Sequence, residues 1–423
     1  MNKPFSLLIK PTSADCNLNC DYCFYLKKSS LYPERKNHRM SIETLEQLIS
    51  SFMKTTQQQQ YSFGWQGGEP TMMGIDFFKK AIYFQQKYGR SGLEVGNGLQ
   101  TNALLINDEF AAFFAKYNFL LGVSLDGPER IHDKYRLFNN GTGSQKKVLN
   151  SINILNKHKV EFNILAMANS ETVKNTKDIY NYFKENNFNF LQYIPCVEFD
   201  SNNQLLPFAI TGEEWGEFLC DLFDEWYKDD TRKVSIRLFD SILVKLVDGI
   251  ANICHFGKDC RQYFVVEHNG DIYPCDFFVN KEVQLGNIKN DTWNDLLTSD
   301  TYKEFGTQKC QWSAKCAQCR HRDICAGDCL KHRIYGTNTD PRNLSHLCKG
   351  WEMFFDHTRN RFTTLANQII EDRKQEQQAA MQQRIQQQMQ QQQMQGDISR
   401  NSKCPCGSGK RYKACCMKSR KAK

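Results

Sequence analysis

Three cysteines close to the start of the chain have the spacing of an iron–sulfur ligand loop. Cys16, Cys20 and Cys23 form a C-x3-C-x2-C pattern directly after a short apolar run that predicts the first strand. Three thiolates on one tight loop can ligate three irons of a 4Fe–4S cubane and leave the fourth iron open to a small ligand, whereas ferredoxin sites close every iron with four cysteines. The alternative is a structural zinc loop that lacks one ligand.

Polar motifs follow the next predicted strands. The run GGEP at 67–70 follows the second strand, and its glycines let the backbone approach a ligand while Glu69 can accept a hydrogen bond from an ammonium group. The run 100–102 (Gln-Thr-Asn) ends the third strand, and Ser124 lies at the end of the fourth, with Arg136 shortly after it. Because ligands bind at the carboxyl ends of parallel strands, these side chains are candidates for one site. A surface salt bridge is the alternative role for Arg136.

A second group of nine cysteines lies in the middle of the chain. They are Cys254, Cys260, Cys275, Cys310, Cys316, Cys319, Cys325, Cys329 and Cys348. Eight thiolates can ligate two further 4Fe–4S clusters completely. The C-x2-C pair at 316–319 also fits a zinc ribbon, and the spacing alone does not say which cysteines share a cluster.

The last twenty residues hold a third group of cysteines. Cys404, Cys406, Cys415 and Cys416 form a C-x-C-x8-C-C pattern, which offers one zinc ion four soft ligands within a short chain. The net charge of +8 also resides here, because residues 396–423 carry nine Lys and Arg against one Asp. Attraction to nucleic acid or to acidic surfaces is therefore a property of this tail alone.

The composition places the chain among cytoplasmic proteins. No stretch of the 423 residues reaches the roughly 18 apolar residues that a membrane span needs, and the start has no signal-peptide pattern. In a reducing compartment, 18 clustered cysteines indicate metal ligation rather than disulfides.

Strands and amphipathic helices alternate through the first half of the chain. The strand candidates are 5–10, 61–65, 93–99, 119–125, 161–168 and 188–194. The helix candidates lie near 41–54, 74–87, 107–116, 144–157, 172–185 and 212–228. Six such units predict an α/β fold with a parallel sheet, either doubly wound or a partial (β/α)6 TIM-like barrel, since a complete barrel needs eight.

After about residue 236 the pattern becomes short pieces among the cysteines, which metal sites must hold together. Residues 367–395 are rich in glutamine, and the i, i+4 spacing of Met381, Ile385 and Met389 favours a helical linker over a disordered one. We therefore predict four parts: a core at 1–235, a cluster domain at 236–366, a linker at 367–395 and a zinc module at 396–423.

The loop CNLNCDYC together with GGEP resembles the signature of radical S-adenosylmethionine (SAM) enzymes. The resemblance implies that the methionyl group of SAM chelates the open iron, and that an electron splits SAM into methionine and a 5′-deoxyadenosyl radical. It also implies a role for six residues in binding SAM. These are Tyr22, Gly68, Glu69, Ser124 at the ribose, Arg136 at the carboxylate and Val197, whose backbone meets the adenine.

The middle cysteines resemble the SPASM extension of radical SAM peptide modifiers, which binds two auxiliary 4Fe–4S clusters. The resemblance assigns one cluster to Cys254, Cys260, Cys275 and Cys329. It assigns the other to Cys316, Cys319, Cys325 and Cys348. Cys310 is left over as a spare thiol. The auxiliary clusters would receive an electron from a substrate radical or bind the substrate.

Over residues 3 to about 365 the motifs resemble the anaerobic sulfatase-maturating enzymes, notably CNLNCDYCFY, QGGEPT, SLDGPERIHDKYR and YPCDFFV. The resemblance implies oxygen-independent oxidation of a Cys or Ser in an unfolded or nascent sulfatase to Cα-formylglycine, with flavodoxin or ferredoxin as electron donor. Asp276 would be the general base, although an aspartate beside a ligand also often stabilises its loop. The alternatives are a SPASM enzyme that modifies a ribosomally made peptide and a non-catalytic metal scaffold. The choice between Ser and Cys substrates stays open.

The tail resembles the SEC-C zinc module. In that family the module contacts a secretion chaperone, ribosomes or anionic surfaces, so the resemblance implies a tethered docking element. A purely stabilising zinc knuckle is the alternative.

Overall fold

The computed structural model describes residues 4–33, 37–55, 58–396 and 399–419. The chain forms two compact units, Met1–Asn360 and Arg361–Lys423. The first unit contains the N-terminal cysteine loop and the cysteine-rich middle, and the second contains the four tail cysteines. The division into four parts with the boundaries given above stays a prediction.

Ten strands form one sheet in the first unit. The strands are β1 (Ser6–Lys10), β2 (Gln60–Trp65), β3 (Glu94–Thr101), β4 (Leu120–Ser124), β5 (Phe162–Ala168), β6 (Phe190–Pro195), β7 (Ser235–Ile236), β8 (Tyr263–Glu267), β9 (Asp271–Tyr273) and β10 (Gly286–Asn287). Their order is β10-β9-β8-β1-β2-β3-β4-β5-β6-β7. All pairs from β8 through β1 to β7 are parallel, and β8-β9 and β9-β10 are antiparallel. The predicted α/β fold with six alternating units is confirmed.

Fourteen α-helices occur in the described part of the chain. They are α1 (Ile42–Met53), α2 (Ile75–Tyr88), α3 (Asp108–Lys116), α4 (Glu129–His132), α5 (Gln145–Lys157), α6 (Thr176–Glu185), α7 (Gly212–Asp229), α8 (Arg237–Asp248), α9 (Trp293–Thr298), α10 (Asp300–Thr307), α11 (Ala314–Gln318), α12 (Arg322–Cys325), α13 (Cys348–Gly396) and α14 (Cys416–Ser419). The glutamine-rich segment lies within α13.

Aromatic side chains pack between the sheet and the helices α1 and α2. Phe63 and Trp65 on β2 are fully buried. The ring of Phe52 on α1 lies 5.3 Å from that of Phe63, and the ring of Phe78 on α2 lies 5.8 Å from that of Trp65. Large buried rings of this kind dominate core energetics, so they fix β2 and the GGEP turn that follows it.

The cysteine-rich middle contributes more regular structure than the sequence predicted. After residue 236 the chain forms the 12-residue helix α8 and the strands β8, β9 and β10. Strand β8 pairs with β1 in parallel, with Leu7 opposite Phe264 and Ile9 opposite Val266. Metal sites are therefore not the only framework of this region, because a buried, hydrogen-bonded strand joins it to the first strand of the chain.

Candidate active site

The cysteine loop is fastened to the turn that follows β2. The backbone N–H of Gly68 donates to Ser13 O at 2.8 Å, and the N–H of Glu69 donates to Asp15 O at 2.8 Å. A Cβ atom on Gly68 would lie 2.0 Å from Asp15 O, a distance at which the two backbones could not pack. Glycine at position 68 is therefore required for the turn to lie against the residues that lead into Cys16.

One cavity of about 180 Å³ lies at the carboxyl ends of the strands. Its walls contain the three N-terminal cysteines and most of the residues predicted to bind SAM or to catalyse. These are Cys16, Cys20, Cys23, Tyr22, Gly68, Ser124, Arg136 and Asp276. The structure thus brings together residues at or beyond the ends of β1, β2 and β4, as expected for a site in a parallel α/β fold, and adds Asp276 from the segment after β9.

The three N-terminal thiols suit an iron ligand site. Burial raises the pKa of Cys16 and of Cys20 to about 12, and the charge of Glu69 contributes to the shift of Cys16. Buried thiols become thiolates when a cation is present to compensate their charge. Cys16 and Cys20 lie in the same cavity with Cys23, so the donor set fits a cluster held by three cysteines.

Arg136 is held at the cavity by a buried aspartate. Its Nε and Nη2 atoms donate to Asp126 Oδ2 and Oδ1 at 3.0 and 3.2 Å, and Tyr22 Oη donates to Asp126 Oδ2 at 2.5 Å. Burial opposes the charge on both partners, yet the carboxylate raises the pKa of Arg136 and the guanidinium lowers that of Asp126. The surface salt bridge considered as the alternative does not describe Arg136, because both side chains of this pair are buried.

Glu69 is fully buried, and protein groups satisfy both of its oxygens. Its Oε1 accepts from the hydroxyls of Thr71 and Thr101 at 2.5 and 2.8 Å, and its Oε2 accepts from the N–H of Asn102 at 2.7 Å. Burial raises its pKa against these hydrogen bonds. In this structure Glu69 joins the ends of β2 and β3, and it does not lie on the cavity wall. Its predicted contact with SAM stays a prediction.

Val197 also lies behind the cavity wall. Its neighbours Cys196 and Glu198 line the cavity, whereas Val197 itself is buried. The carbonyl oxygen of Val197 accepts a hydrogen bond of 2.8 Å from Lys331 Nζ. The predicted role of this backbone at the adenine stays a prediction.

Asp276 is the buried carboxylate with the densest set of polar partners in the cavity. Lys10 Nζ lies 3.0 Å from Asp276 Oδ1, and the hydroxyl of Tyr25 donates to Oδ2. Lys28 Nζ donates to the carbonyl oxygen of Asp276. Lys10 also pairs with Glu267 Oε1 at 3.1 Å. Asp276 is thus fixed through each oxygen, beside Cys275 and in the same cavity as the three-cysteine loop.

The partners of Asp276 have pKa values that follow from their surroundings. Burial lowers the pKa of Lys10, but Asp276 and Glu267 raise it by more, so that it lies above 10.5. Burial lowers the pKa of Lys28 to about 8. Burial and the charge of Asp276 raise the pKa of Tyr25, which therefore stays a neutral hydrogen-bond donor.

Sequence reasoning missed Lys10, Tyr25, Lys28 and Glu267. Two of them had a readable signal, because Lys10 and Glu267 are the last residues of β1 and β8, where site residues occur in parallel sheets. Tyr25 and Lys28 follow the cysteine loop, and nothing in the local pattern distinguishes them from structural residues.

The thiols of Cys254, Cys260, Cys275 and Cys329 lie near one another, and we call them the first auxiliary set. Burial is the main cause that raises the pKa of Cys275 to about 11 and of Cys260 to about 12. The charge of Cys254 raises the pKa of each of the other three thiols as well. Four mutually interacting thiols fit a cubane with four cysteine ligands.

The second auxiliary set consists of Cys316, Cys319, Cys325 and Cys348, which line one small cavity together. Burial raises the pKa of Cys325 and of Cys348 to about 12. Cys310 is a member of neither auxiliary set. It is exposed, and its Sγ donates to the carbonyl oxygen of Lys258 at 2.8 Å, which agrees with a spare thiol.

The second unit holds the four tail cysteines in the arrangement of a single-ion site. Their Sγ atoms all lie within 4.8 Å of one another. Cys406 Sγ lies 3.3 Å from Cys404 Sγ and 3.4 Å from Cys415 Sγ. A tetrahedral zinc with Zn–S bonds of about 2.3 Å places its sulfurs ~3.8 Å apart, so the geometry fits this ion after a small expansion.

In the part of the chain that the structure describes, none of the helices has the length and hydropathy that crossing a bilayer requires.

Three family models match the chain. The radical SAM superfamily model matches residues 11–183, the iron–sulfur cluster-binding SPASM domain matches 254–320, and the SEC-C motif matches 400–418. The three matches contain the three-cysteine loop, five of the eight auxiliary cysteines and the four tail cysteines.

Curated relatives cover most of the chain. The serine-type anaerobic sulfatase-maturating enzyme of Bacteroides thetaiotaomicron is 39% identical over 371 residues, which are 84% of this chain and 89% of the relative. The cysteine-type enzyme of Clostridium novyi is 37% identical over 374 residues, which are 87% of this chain and 98% of the relative.

A solved structure shares the fold at similar identity. Native anSMEcpe with bound AdoMet and Kp18Cys peptide superimposes with a TM-score of 0.81 at 35% identity, covering 86% of this chain and 100% of that chain. The match therefore extends over the whole length of a structure that holds both AdoMet and a peptide.

Proposed function

Because this chain belongs to the anaerobic sulfatase-maturating enzymes, a radical SAM family, we propose that it oxidises a cysteine or serine of a sulfatase polypeptide to Cα-formylglycine without dioxygen. One observation supports this proposal above all others. Asp276, fixed by Lys10 and Tyr25, lies in one cavity with the three-cysteine loop and directly beside Cys275. A base, a radical source and an electron acceptor would thus surround one substrate side chain.

The oxidation removes two electrons, one as part of a hydrogen atom and the other on its own. A –CH2–SH or –CH2–OH side chain loses one hydrogen atom from Cβ, one proton from sulfur or oxygen, and one further electron. A serine reaches the aldehyde directly, and a cysteine gives a thioaldehyde that water converts to the aldehyde with release of sulfide. When bound, SAM and the cluster on the three-cysteine loop supply the abstraction of the hydrogen atom, and an auxiliary cluster supplies the acceptor for the electron.

The residues of this chain position the substrate and manage the proton. Asp276 would accept the proton from the thiol or hydroxyl. Lys10 and Tyr25 each engage one of its oxygens, so the lone pairs that remain point in fixed directions. The buried Asp126 in turn fixes Arg136 through its Nε and Nη2 atoms, and Arg136 would bind the carboxylate of SAM.

The proposed function also requires cofactors and partner proteins. We propose three 4Fe–4S clusters, one zinc ion in the tail, and flavodoxin or ferredoxin as the electron donor. The substrate would be an unfolded or nascent sulfatase, since the reacting side chain must enter a cavity. The basic zinc module would dock this enzyme to a chaperone or a ribosome in the cytoplasm.

The Asp276→Asn variant tests the proposed base. Amide replacement keeps the shape and the contact with Lys10 but removes the proton acceptor. We expect 5′-deoxyadenosine to form at close to the wild-type rate while aldehyde formation on a substrate peptide falls by at least about 10²-fold, the usual contribution of a general base. Both products are measured in one anaerobic assay by chromatography and mass spectrometry.

Glu282→Gln is the matched control, because Glu282 is an exposed carboxylate six residues further along the chain. It should leave both products unchanged. Undiminished aldehyde formation by Asp276→Asn would remove Asp276 from the mechanism.

The substrate class is tested with two peptides that differ in one atom. Peptides containing C-x-P-x-R or S-x-P-x-R should each be tested for a new aldehyde. Aldehyde on either peptide supports sulfatase maturation and assigns the cysteine or serine type. Cleavage of SAM without aldehyde on both peptides would contradict it and favour the modification of another peptide.

A further inference from the structure

Two buried cations lie between the two auxiliary sets. Arg333 and Lys309 are each 1% exposed. We call this pair the cationic hub. Charged side chains are seldom buried so completely unless something compensates their charge.

Arg333 binds a backbone segment of unusual conformation. Ala326, Gly327 and Asp328 have φ angles of 50°, 80° and 64°, so three consecutive residues are left-handed. This curl turns their carbonyl oxygens toward one guanidinium. Arg333 Nε donates to Gly327 O at 2.7 Å, and its Nη2 donates to Ala326 O and Asp328 O at 3.2 Å each.

The close approach requires the glycine. A Cβ atom on Gly327 would lie 2.3 Å from Arg333 Nη2. The left-handed conformation of Ala326 and Asp328 is strained, and such strain persists only where the surroundings enforce it. Arg333 Nη1 also donates to the carbonyl oxygens of Lys309, Gln311 and Pro341.

The curled segment connects the two auxiliary sets. It joins Cys325, a member of the second set, to Cys329, a member of the first. Lys309 Nζ donates to the carbonyl oxygen of Asp328 in this segment and to His255 O, next to Cys254, at 3.1 Å. The cationic hub therefore contacts the backbone that carries ligands of both sets.

Carboxylates do not compensate the hub. Among the described residues, no carboxylate oxygen lies within ion-pair distance of Arg333 or Lys309. The nearest acidic residue, Asp328, is engaged by His332 Nδ1 at 2.7 Å and Ser345 Oγ at 2.6 Å. Even with Asp328 counted, two cations against one anion leave one positive charge in excess.

We propose that Arg333 and Lys309 are positioning residues that raise the reduction potential of the auxiliary clusters and so make them better acceptors of the electron from the substrate. Adding an electron makes a cluster with four thiolate ligands more negative, and a nearby buried cation stabilises that reduced form. The clusters in turn compensate the charge of the hub. The inference rests on the proposed function, because only there does an auxiliary cluster accept an electron.

The test is a reduction potential measured on the full chain with all clusters reconstituted. Auxiliary signals are followed by electron paramagnetic resonance during an anaerobic redox titration, and they are distinguished from the SAM-binding cluster because added SAM does not change them. The variants are Lys309→Gln, which keeps a hydrogen-bond donor but loses the charge, and Lys309→Arg, which keeps the charge. Lys281→Met removes an exposed lysine and serves as the control.

We expect Lys309→Gln to bind iron fully and to shift the auxiliary midpoint negative by at least a tenfold change in the electron-transfer equilibrium, about 59 mV for one electron. Lys309→Arg and Lys281→Met should keep the wild-type midpoint. If Lys309→Gln does not assemble its clusters, the same negative shift is expected and measured in Arg333→Gln.

Two results would overturn the inference. One is full iron content with an unchanged midpoint in Lys309→Gln. The other is failure of both Lys309 variants to assemble clusters, which would assign Lys309 a role of shape alone. A normal titration of the wild-type protein without any aldehyde product would instead overturn the proposed function.

Discussion

Replacing Lys10 by methionine should destabilise the protein strongly, because one ammonium group compensates two buried carboxylates. Lys10 Nζ lies 3.1 Å from Glu267 and 3.0 Å from Asp276, and all three side chains are buried. Burial alone would raise the pKa of Glu267, yet Lys10 and neighbouring hydrogen bonds hold it at about 2. The difference from the ordinary pKa of 4.5 corresponds to about 3 kcal/mol of the free energy of unfolding, at ~1.4 kcal/mol per pKa unit.

This magnitude agrees with the general cost of removing one partner from a buried ion pair, about 3–5 kcal/mol. At ~2.1 cal/mol/K per residue, a unit of this size loses roughly 1–2 °C of melting temperature per kcal/mol, so a fall of roughly 5 °C is expected. The contribution of Glu267 is complete above pH 4.5 and is lost as the pH falls toward 2. The contribution of Lys10, whose pKa is raised, is complete below pH 10.5 and is lost as the pH rises through the pKa of Lys10 in the folded protein.

The assay is thermal unfolding of the reconstituted holoenzyme near pH 7.5, where both contributions are complete, followed anaerobically by circular dichroism. The double variant Lys10→Met with Glu267→Gln should recover part of the loss, because it leaves one buried carboxylate uncompensated instead of two. Lys281→Met is the control for loss of a surface lysine. A Lys10→Met protein that melts within 1 °C of the wild type would refute the reasoning, since about 1 °C is the effect of one surface substitution. A double variant that is less stable than Lys10→Met would refute it as well.

Three further predictions concern the cofactors and the tail. Asp126→Asn should weaken SAM binding about tenfold, ~1.4 kcal/mol, because Arg136 loses its charged partner; equilibrium dialysis giving an unchanged Kd would contradict this. Cys310→Ala should keep the wild-type content of about twelve irons per chain, whereas Cys329→Ala should lose about four, as iron and sulfide quantification would show. Deletion of residues 396–423 should remove one zinc and leave aldehyde formation on short peptides unchanged, and lost peptide activity would count against a docking role.

The sequence predicted β1–β6 and the helices α1–α3 and α5–α7 because their hydrophobic periodicity is strong and local, and it missed the four-residue helix α4. The bounds differ from the structure by at most four residues, as at the start of α6. The cavity followed from the rule that parallel strands gather site residues at their carboxyl ends. The grouping of the middle cysteines followed only from family resemblance, since spacing does not show that Cys325 and Cys329 belong to different sets.

The strands after residue 236 were missed although a local signal was present. Two apolar runs flank Asn269-Gly270, a dipeptide that strongly favours a hairpin. The structure forms this hairpin as β8 and β9. The parallel pairing of β8 with β1 had no local signal at all, because it joins residues more than 250 positions apart. The buried contacts of Asp276 depend on that pairing and were unreadable for the same reason.

The pairing of β8 with β1 also limits how this molecule can move during turnover. Backbone hydrogen bonds join β1, the strand before the three-cysteine loop, to β8, the first strand of the hairpin that leads to Cys275, and the ion pair of Lys10 and Glu267 connects the two strand ends. Two strands joined in this way cannot separate without breaking these contacts, so the region of the radical source stays close to the base. The polypeptide that enters must do the bending, which suits a partner that has not yet folded.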